Sequence, residues 1–135
     1  MKIEINNLTK EKIDLRLVKR IISAFSRAYK VNKNKELSLA FVSDAVIKKL
    51  NNTYRGLNQT TDILSFAGEE NFLGELVINY SQIKRQAGDF KNSAEKELVF
   101  ILVHGLLHLI GCDDKTKKQR LEMIKLGEKF IKNYL

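Results

Sequence analysis

The chain has 135 residues, 44% hydrophobic and 30% charged, enough to bury a core without disulfides or a partner's help. Its single cysteine excludes an internal disulfide, no run approaches the ~18 apolar residues of a membrane span, and the opening MKIEINNLTK lacks an apolar signal-peptide core, so a reducing, cytoplasmic setting is expected. Lys and Arg number 24 against 16 Asp and Glu, and the resulting formal charge of +8 favours a polyanionic partner, the alternative being that it serves solubility alone.

Met1 to Asn6 alternates as a short strand, with Ile3 and Ile5 on one face. Thr9 reads as an N-cap, and Ile13, Leu17, Ile21, Ala24, Phe25 and Ala28 recur at helical spacing to about Tyr29. Val31 to Lys35 is a polar turn, and Glu36 to Val42 alternates as a second strand. Ser43 or Asp44 caps a helix to about Asn52, after which TYRGLNQ reads as a loop. Asp62 to Ala67 and Leu73 to Asn79 are strand-like, parted by a turn over Gly68 to Asn71. Ser81 opens a short helix to Ala87, and Gly88 to Asn92 is turn-like.

Ser93 then caps a helix over Ala94 to Ile110 that is apolar on most sides, so it is expected to be central and buried. It carries both histidines of the chain. His104 and His108 are four apart and share one helix face, a spacing that can chelate a divalent metal. Gly111 supplies a residue able to end the helix in a left-handed conformation, and Asp113 and Asp114 follow. On a continued helix Asp114 would sit roughly 9 Å beyond His108 along the axis. Zinc ligands lie about 2 Å from their ion, so that separation is too large. A turn at Gly111 lets the chain fold back and makes Asp114 available as a third ligand. The residues therefore suggest a His-His-Asp zinc site with an open fourth position, set against two histidines merely satisfied in a core helix. Lys115 to Leu135 closes the chain as an amphipathic helix with a basic outer face.

No linker, repeat or composition shift divides the chain, so one domain over residues 1–135 is expected. Its class is α+β: a small mixed sheet packed with about five helices, including the central buried metal-binding helix.

Three blocks, taken in order, carry a family resemblance. LNNTYRGLNQTTDILSF (Leu50 to Phe66) is similar to L-N-x-x-Y-R-x-x-D-x-P-T-D-V-L-S-F, LGELVIN (Leu73 to Asn79) to L-G-D-I-x-I-S, and HGLLHLIGCDD to H-G-x-L-H-L-x-G-Y-D-H. These are the motifs of the YbeY family of zinc-binding bacterial rRNA-maturation endoribonucleases, and the resemblance spans essentially the whole chain. It implies zinc held by His104, His108 and Asp114, and a functional Arg55. The chain departs from the pattern at Asp114, where the family has histidine, at Thr60 for proline, at Ala67, and at Cys112 for tyrosine. A carboxylate is an acceptable zinc ligand, and as an anion it leaves the site less positive than three imidazoles would.

The resemblance implies a zinc-dependent, single-strand-directed endoribonuclease acting in 16S 3′-end maturation and ribosome quality control. Its partners would be rRNA and the ribosome or its assembly factors, with no membrane and no DNA expected, and it does not fix the oligomeric state. Arg55 fits because a guanidinium binds phosphate through two parallel hydrogen bonds. Gly105 stands where H-E-x-x-H peptidases place their glutamate base, so peptide hydrolysis lacks its base; the glycine reads as a point of close approach. Tyr54 reads as packing, Asp62 as orienting its loop, Ser65 as a hydrogen-bonding group near the metal, and Cys112 as a small packed side chain. Lys84, Arg85, Lys115, Lys117, Lys118 and Arg120 are candidates for phosphate contact. A zinc-stabilised RNA-binding factor without catalysis is the alternative from another class.

Overall fold

The computed structural model describes all 135 residues, Met1–Leu135. Nine elements follow one another: β1 (Lys2–Asn7), α1 (Leu15–Ala28), β2 (Glu36–Phe41), α2 (Asp44–Arg55), β3 (Ile63–Ala67), β4 (Phe72–Ile78), α3 (Tyr80–Asp89), α4 (Ala94–Leu109) and α5 (Lys117–Tyr134). The strands form one sheet in the order β1-β2-β4-β3. Its β1–β2 and β2–β4 pairs are parallel and its β3–β4 pair antiparallel, so the expected small mixed sheet with five helices is what the chain builds.

Successive side chains of a strand point to opposite faces, and here each face has its own partners. Leu37, Leu39 and Phe41 of β2, with Leu76 and Ile78 of β4, enter the main core beside Val18, Ile21 and Phe25 of α1 and Leu102 and Leu106 of α4. Val77 of β4, Leu64 of β3 and Val42 just past β2 meet Ile47 of α2 on the other face. The sheet is thus covered by α2 on one side and by the remaining helices on the other. Helix α4 lies inside that second layer, against β3, β4, α1, α3 and α5. Eight of its residues are buried, which accounts for its nearly uniform apolar sequence.

Several boundaries move. Thr9 does not cap α1. Its hydroxyl donates to Asn7 Oδ1 (2.6 Å) and accepts from the Glu11 amide (3.1 Å), a local turn that competes with helix initiation. Asp14 is the cap, accepting from the Leu17 amide, with Ile13 before it and Val18 four residues on, both against the main core as a hydrophobic staple. Helix α2 runs on to Arg55, so the first three residues of the expected TYRGLNQ loop, Thr53, Tyr54 and Arg55, are helical. Asn79 rather than Ser81 caps α3. Helix α5 is capped by Thr116, whose side chain and that of Gln119 satisfy each other's backbone amides.

Candidate metal and phosphate site

Helix α4 begins at Ser93, which accepts from the Lys96 amide, with Glu95 and Glu97 in the positive first turn. It ends in a Schellman turn: the Gly111 amide donates to the His108 carbonyl and the Cys112 amide to the Leu107 carbonyl, both over 3.0 Å. Gly111 has φ +105°, a conformation that a side chain disfavours and that turns the chain back on the helix. Cys112 packs against the main core as expected, and burial, with Asp113 nearby, pushes its thiol pKa up, which disfavours the thiolate a metal would need.

The reversal brings Asp114 over the histidines. Asp114 Oδ2 lies 3.2 Å from His108 Nε2 and 3.6 Å from His104 Nε2, and the two Nε2 atoms are 3.2 Å apart. Three vertices of a tetrahedron with metal–donor bonds of about 2.0–2.1 Å stand about 3.3–3.4 Å apart, so the triangle matches three zinc ligands in size. Its electrostatics point the same way. His108 Nδ1 is 3.0 Å from the Cys112 carbonyl, which can only accept, so Nδ1 carries the proton and Nε2 presents its lone pair. A lone pair and a carboxylate oxygen facing each other at 3.2 Å repel unless a proton or a cation lies between them. Burial, and then the neighbouring His108, push the His104 pKa below its ordinary value against the pull of Asp114, which keeps that ring neutral and able to ligate. His104, His108 and Asp114 thus form a donor set suited to a divalent ion.

The three residues line a cavity of about 330 Å³. Arg55 lines it too, reaching it from the end of α2 at the β3 edge of the sheet, where Thr61, Asp62, Ile63 and Ser65 also form the wall. Asp62 is held by Gln86 Nε2 (3.2 Å) at its carboxylate and by the Asn79 amide (2.8 Å) at its carbonyl. Ser65 lines the cavity, with its Oγ beside Gly105.

Gly105 is a contact point with the sheet. A Cβ built there would stand 2.5 Å from Ile63 Cδ1 and 3.1 Å from Leu76 Cδ2, so a side chain at this position would have to displace those methyl groups.

Not all the cations counted in the sequence serve the site. Lys84 is paired with Glu11 and Arg85 with Asp44, each over 2.6 Å, whereas Arg120 lines the cavity. Tyr54 packs edge-to-face on Phe66 with centroids 5.2 Å apart. The sequence reading missed the cavity's apolar wall, Phe100 and Ile124. The signal was available: Phe100 lies four residues before His104 and Ile124 four after Arg120, each one helical turn away.

The chain is similar to known proteins along nearly its whole length. A family model described as Endoribonuclease YbeY matches residues 2–135. A protein named Endoribonuclease YbeY from Phytoplasma australiense is 37% identical over 98% of this chain and 94% of its own. One of the same name from Shouchella clausii is 32% identical over 89% and 85%. A solution structure of a Thermotoga maritima protein superposes with a TM-score of 0.68 at 28% identity, covering 96% of this chain and 87% of that one.

Proposed function

The chain belongs to the YbeY endoribonuclease family, and from that premise we propose that it cleaves RNA as a zinc-dependent endoribonuclease directed at single strands. Its place would be rRNA processing, at the 16S 3′ end, and ribosome quality control in the cytoplasm, with rRNA and the ribosome or its assembly factors as partners. No helix is long and apolar enough to cross a membrane. The observation that carries the reading is the convergence of Arg55 with His104, His108 and Asp114 on one cavity.

Each residue has a part in that chemistry. Arg55 holds the scissile phosphate by two parallel N–H bonds to its non-bridging oxygens and stays charged throughout, so it stabilises negative charge as it develops on phosphorus. His104, His108 and Asp114 would hold the ion, and the Cys112 carbonyl keeps the His108 ring in the ligating tautomer. Zinc, when bound there, supplies Lewis-acid polarisation of a phosphoryl oxygen. Asp114 brings a negative charge to that donor set, which makes the site a milder Lewis acid than three neutral imidazoles would. Gly105 leaves no base for peptide hydrolysis. Mapping the ends of the cut RNA separates water from an RNA 2′-hydroxyl as the nucleophile.

The test is cleavage of single-stranded rRNA fragments by the purified protein. Cleavage should stop on chelation and return with added zinc. RNA bound but left intact with and without metal would replace this reading by the non-catalytic assembly factor.

A further inference from the structure

The cavity has lining beyond the donor set and Arg55. Phe100 stands one turn before His104 on α4, Ile124 comes from α5, and Arg120 lies one turn before Ile124. Phe100 is only partly buried, and Ile124 keeps 36% of its surface exposed, so both present apolar surface to the opening. Arg120 uses its Nη1 alone, in long bonds of 3.4 and 3.5 Å to the carbonyls of Asp114 and Lys115. Its remaining N–H groups have no protein acceptor. An aromatic ring, an aliphatic side chain and a guanidinium with unused N–H groups on one cavity match one nucleotide: a base has a flat apolar face, and its phosphate takes a fork of donors.

Resting on the reading of this cavity as an RNA-cleaving site, we infer that Phe100, Ile124 and Arg120 form a nucleotide subsite beside the metal cluster, taking one unstacked base against Phe100 and Ile124 and its phosphate on Arg120. The whole cavity, donor set and Arg55 included, is about 330 Å³, at the small end of ligand pockets, so the subsite takes one base and no longer segment. A base inside a duplex has both faces covered by its neighbours and cannot reach such a wall, so the subsite selects for single strands. It also fixes the register of the strand, since the held base sets which phosphate meets Arg55.

The test scans a single abasic nucleotide along a labelled single-stranded RNA and measures binding to the metal-loaded protein by fluorescence anisotropy. One position should weaken binding about tenfold in the wild type, the size of one lost base–aromatic stack. That penalty should vanish in Phe100→Leu, which keeps the apolar volume and loses the ring, and in Ile124→Asp, whose site is partly exposed. Arg120→Gln should keep the penalty but lower the salt dependence of binding by about one ion, with Arg120→Lys restoring it. Thermal melting of each variant checks that it folds, and metal content checks that the cluster is undisturbed. An equal abasic penalty in wild type and Phe100→Leu overturns the subsite, as does normal binding with no sensitive position. A wild type that binds no RNA overturns the RNA-cleaving reading as well, so the two failures are told apart.

Discussion

His108 and Cys112 are joined side chain to main chain: the imidazole Nδ1 donates to the Cys112 carbonyl over 3.0 Å, across the turn that ends α4. Because that carbonyl is fixed by the Schellman turn, the helix terminus itself sets the tautomer of a histidine in the candidate donor set. Gly111, with φ +105°, is the hinge of the arrangement. Gly111→Ala should therefore cost about 1 kcal/mol of stability for the strained backbone, and lower zinc affinity by about 10–100-fold through the displaced carbonyl and Asp114. Competition titration with a chromophoric chelator, beside thermal melting, measures both. Unchanged metal affinity would detach the turn from the site.

Asp114 is the least regular member of the donor set and the most informative to change. The wild type should bind one zinc ion per chain, His104→Ala should bind none at micromolar metal, and Asp114→His should keep the stoichiometry, since an imidazole fits the same vertex. Metal content after dialysis is the measurement. If Asp114→Ala matches the wild type in both stoichiometry and affinity, Asp114 is not a ligand.

Arg55 ends α2 and meets the cavity without belonging to the cluster. Arg55→Ala should lower the rate of RNA cleavage by about 10²–10³-fold while leaving zinc stoichiometry intact, because one charge-stabilising donor is lost and no ligand is. Lysine lacks the planar fork, so Arg55→Lys should recover little of the rate. Equal cleavage by wild type and Arg55→Ala would remove the arginine from the chemistry.

What could be read from the sequence follows how local its causes are. Helix α4 and both its ends were legible because Ser93 and Gly111 act on amides and carbonyls within five residues, and the fold-back of Asp114 follows from that one turn. The start of α1 was not, since Thr9 and Asp14 are both competent caps and only the turn that Thr9 makes with Asn7 and Glu11 decides between them. Lys84 and Arg85 looked available for phosphate because their partners, Glu11 and Asp44, lie 73 and 41 residues away. The parallel pairing of β2 with β4 joins strands separated by α2 and β3, so no local pattern announces it. The cavity's apolar wall joins α4 to α5 and appears only once the helices are packed.

Gly105 marks where α4 presses on the sheet. Gly105→Ala would place a methyl group 2.5 Å from Ile63 Cδ1; moving that terminal methyl should cost about 1 kcal/mol, partly offset by the better helix propensity of alanine. Ile63→Val in the same chain should recover part of the loss, because it shortens the side chain that is struck. Chemical denaturation of the single and double variants measures the coupling. Additive effects in the pair would show that the helix does not rest on Ile63.

Asn79 ties the far side of the site together. It is fully buried, and its Nδ2 donates to Asp44 Oδ1 (2.7 Å) and Thr60 Oγ1 (3.0 Å) while its Oδ1 caps α3. The Arg85 guanidinium first, and then Asn79, hold the Asp44 carboxyl down at about 2. A carboxyl whose pKa is depressed on folding contributes stability that is complete above its unfolded value, near 3.9, and is lost as pH falls through about 2. Asp44 is half exposed, so the effect is small and best seen at low ionic strength. Between pH 4 and 2 the wild type should thus lose stability more steeply than Asp44→Asn, and above pH 5 the difference between the two should be constant. Urea unfolding across that range is the measurement, and parallel curves down to pH 2 would show that Asp44 titrates alike folded and unfolded. Asn79→Ala should cost more at neutral pH, about 1–3 kcal/mol, because it leaves buried partners unsatisfied. It should also loosen Thr60 and Asp62, and with them the wall that faces Arg55.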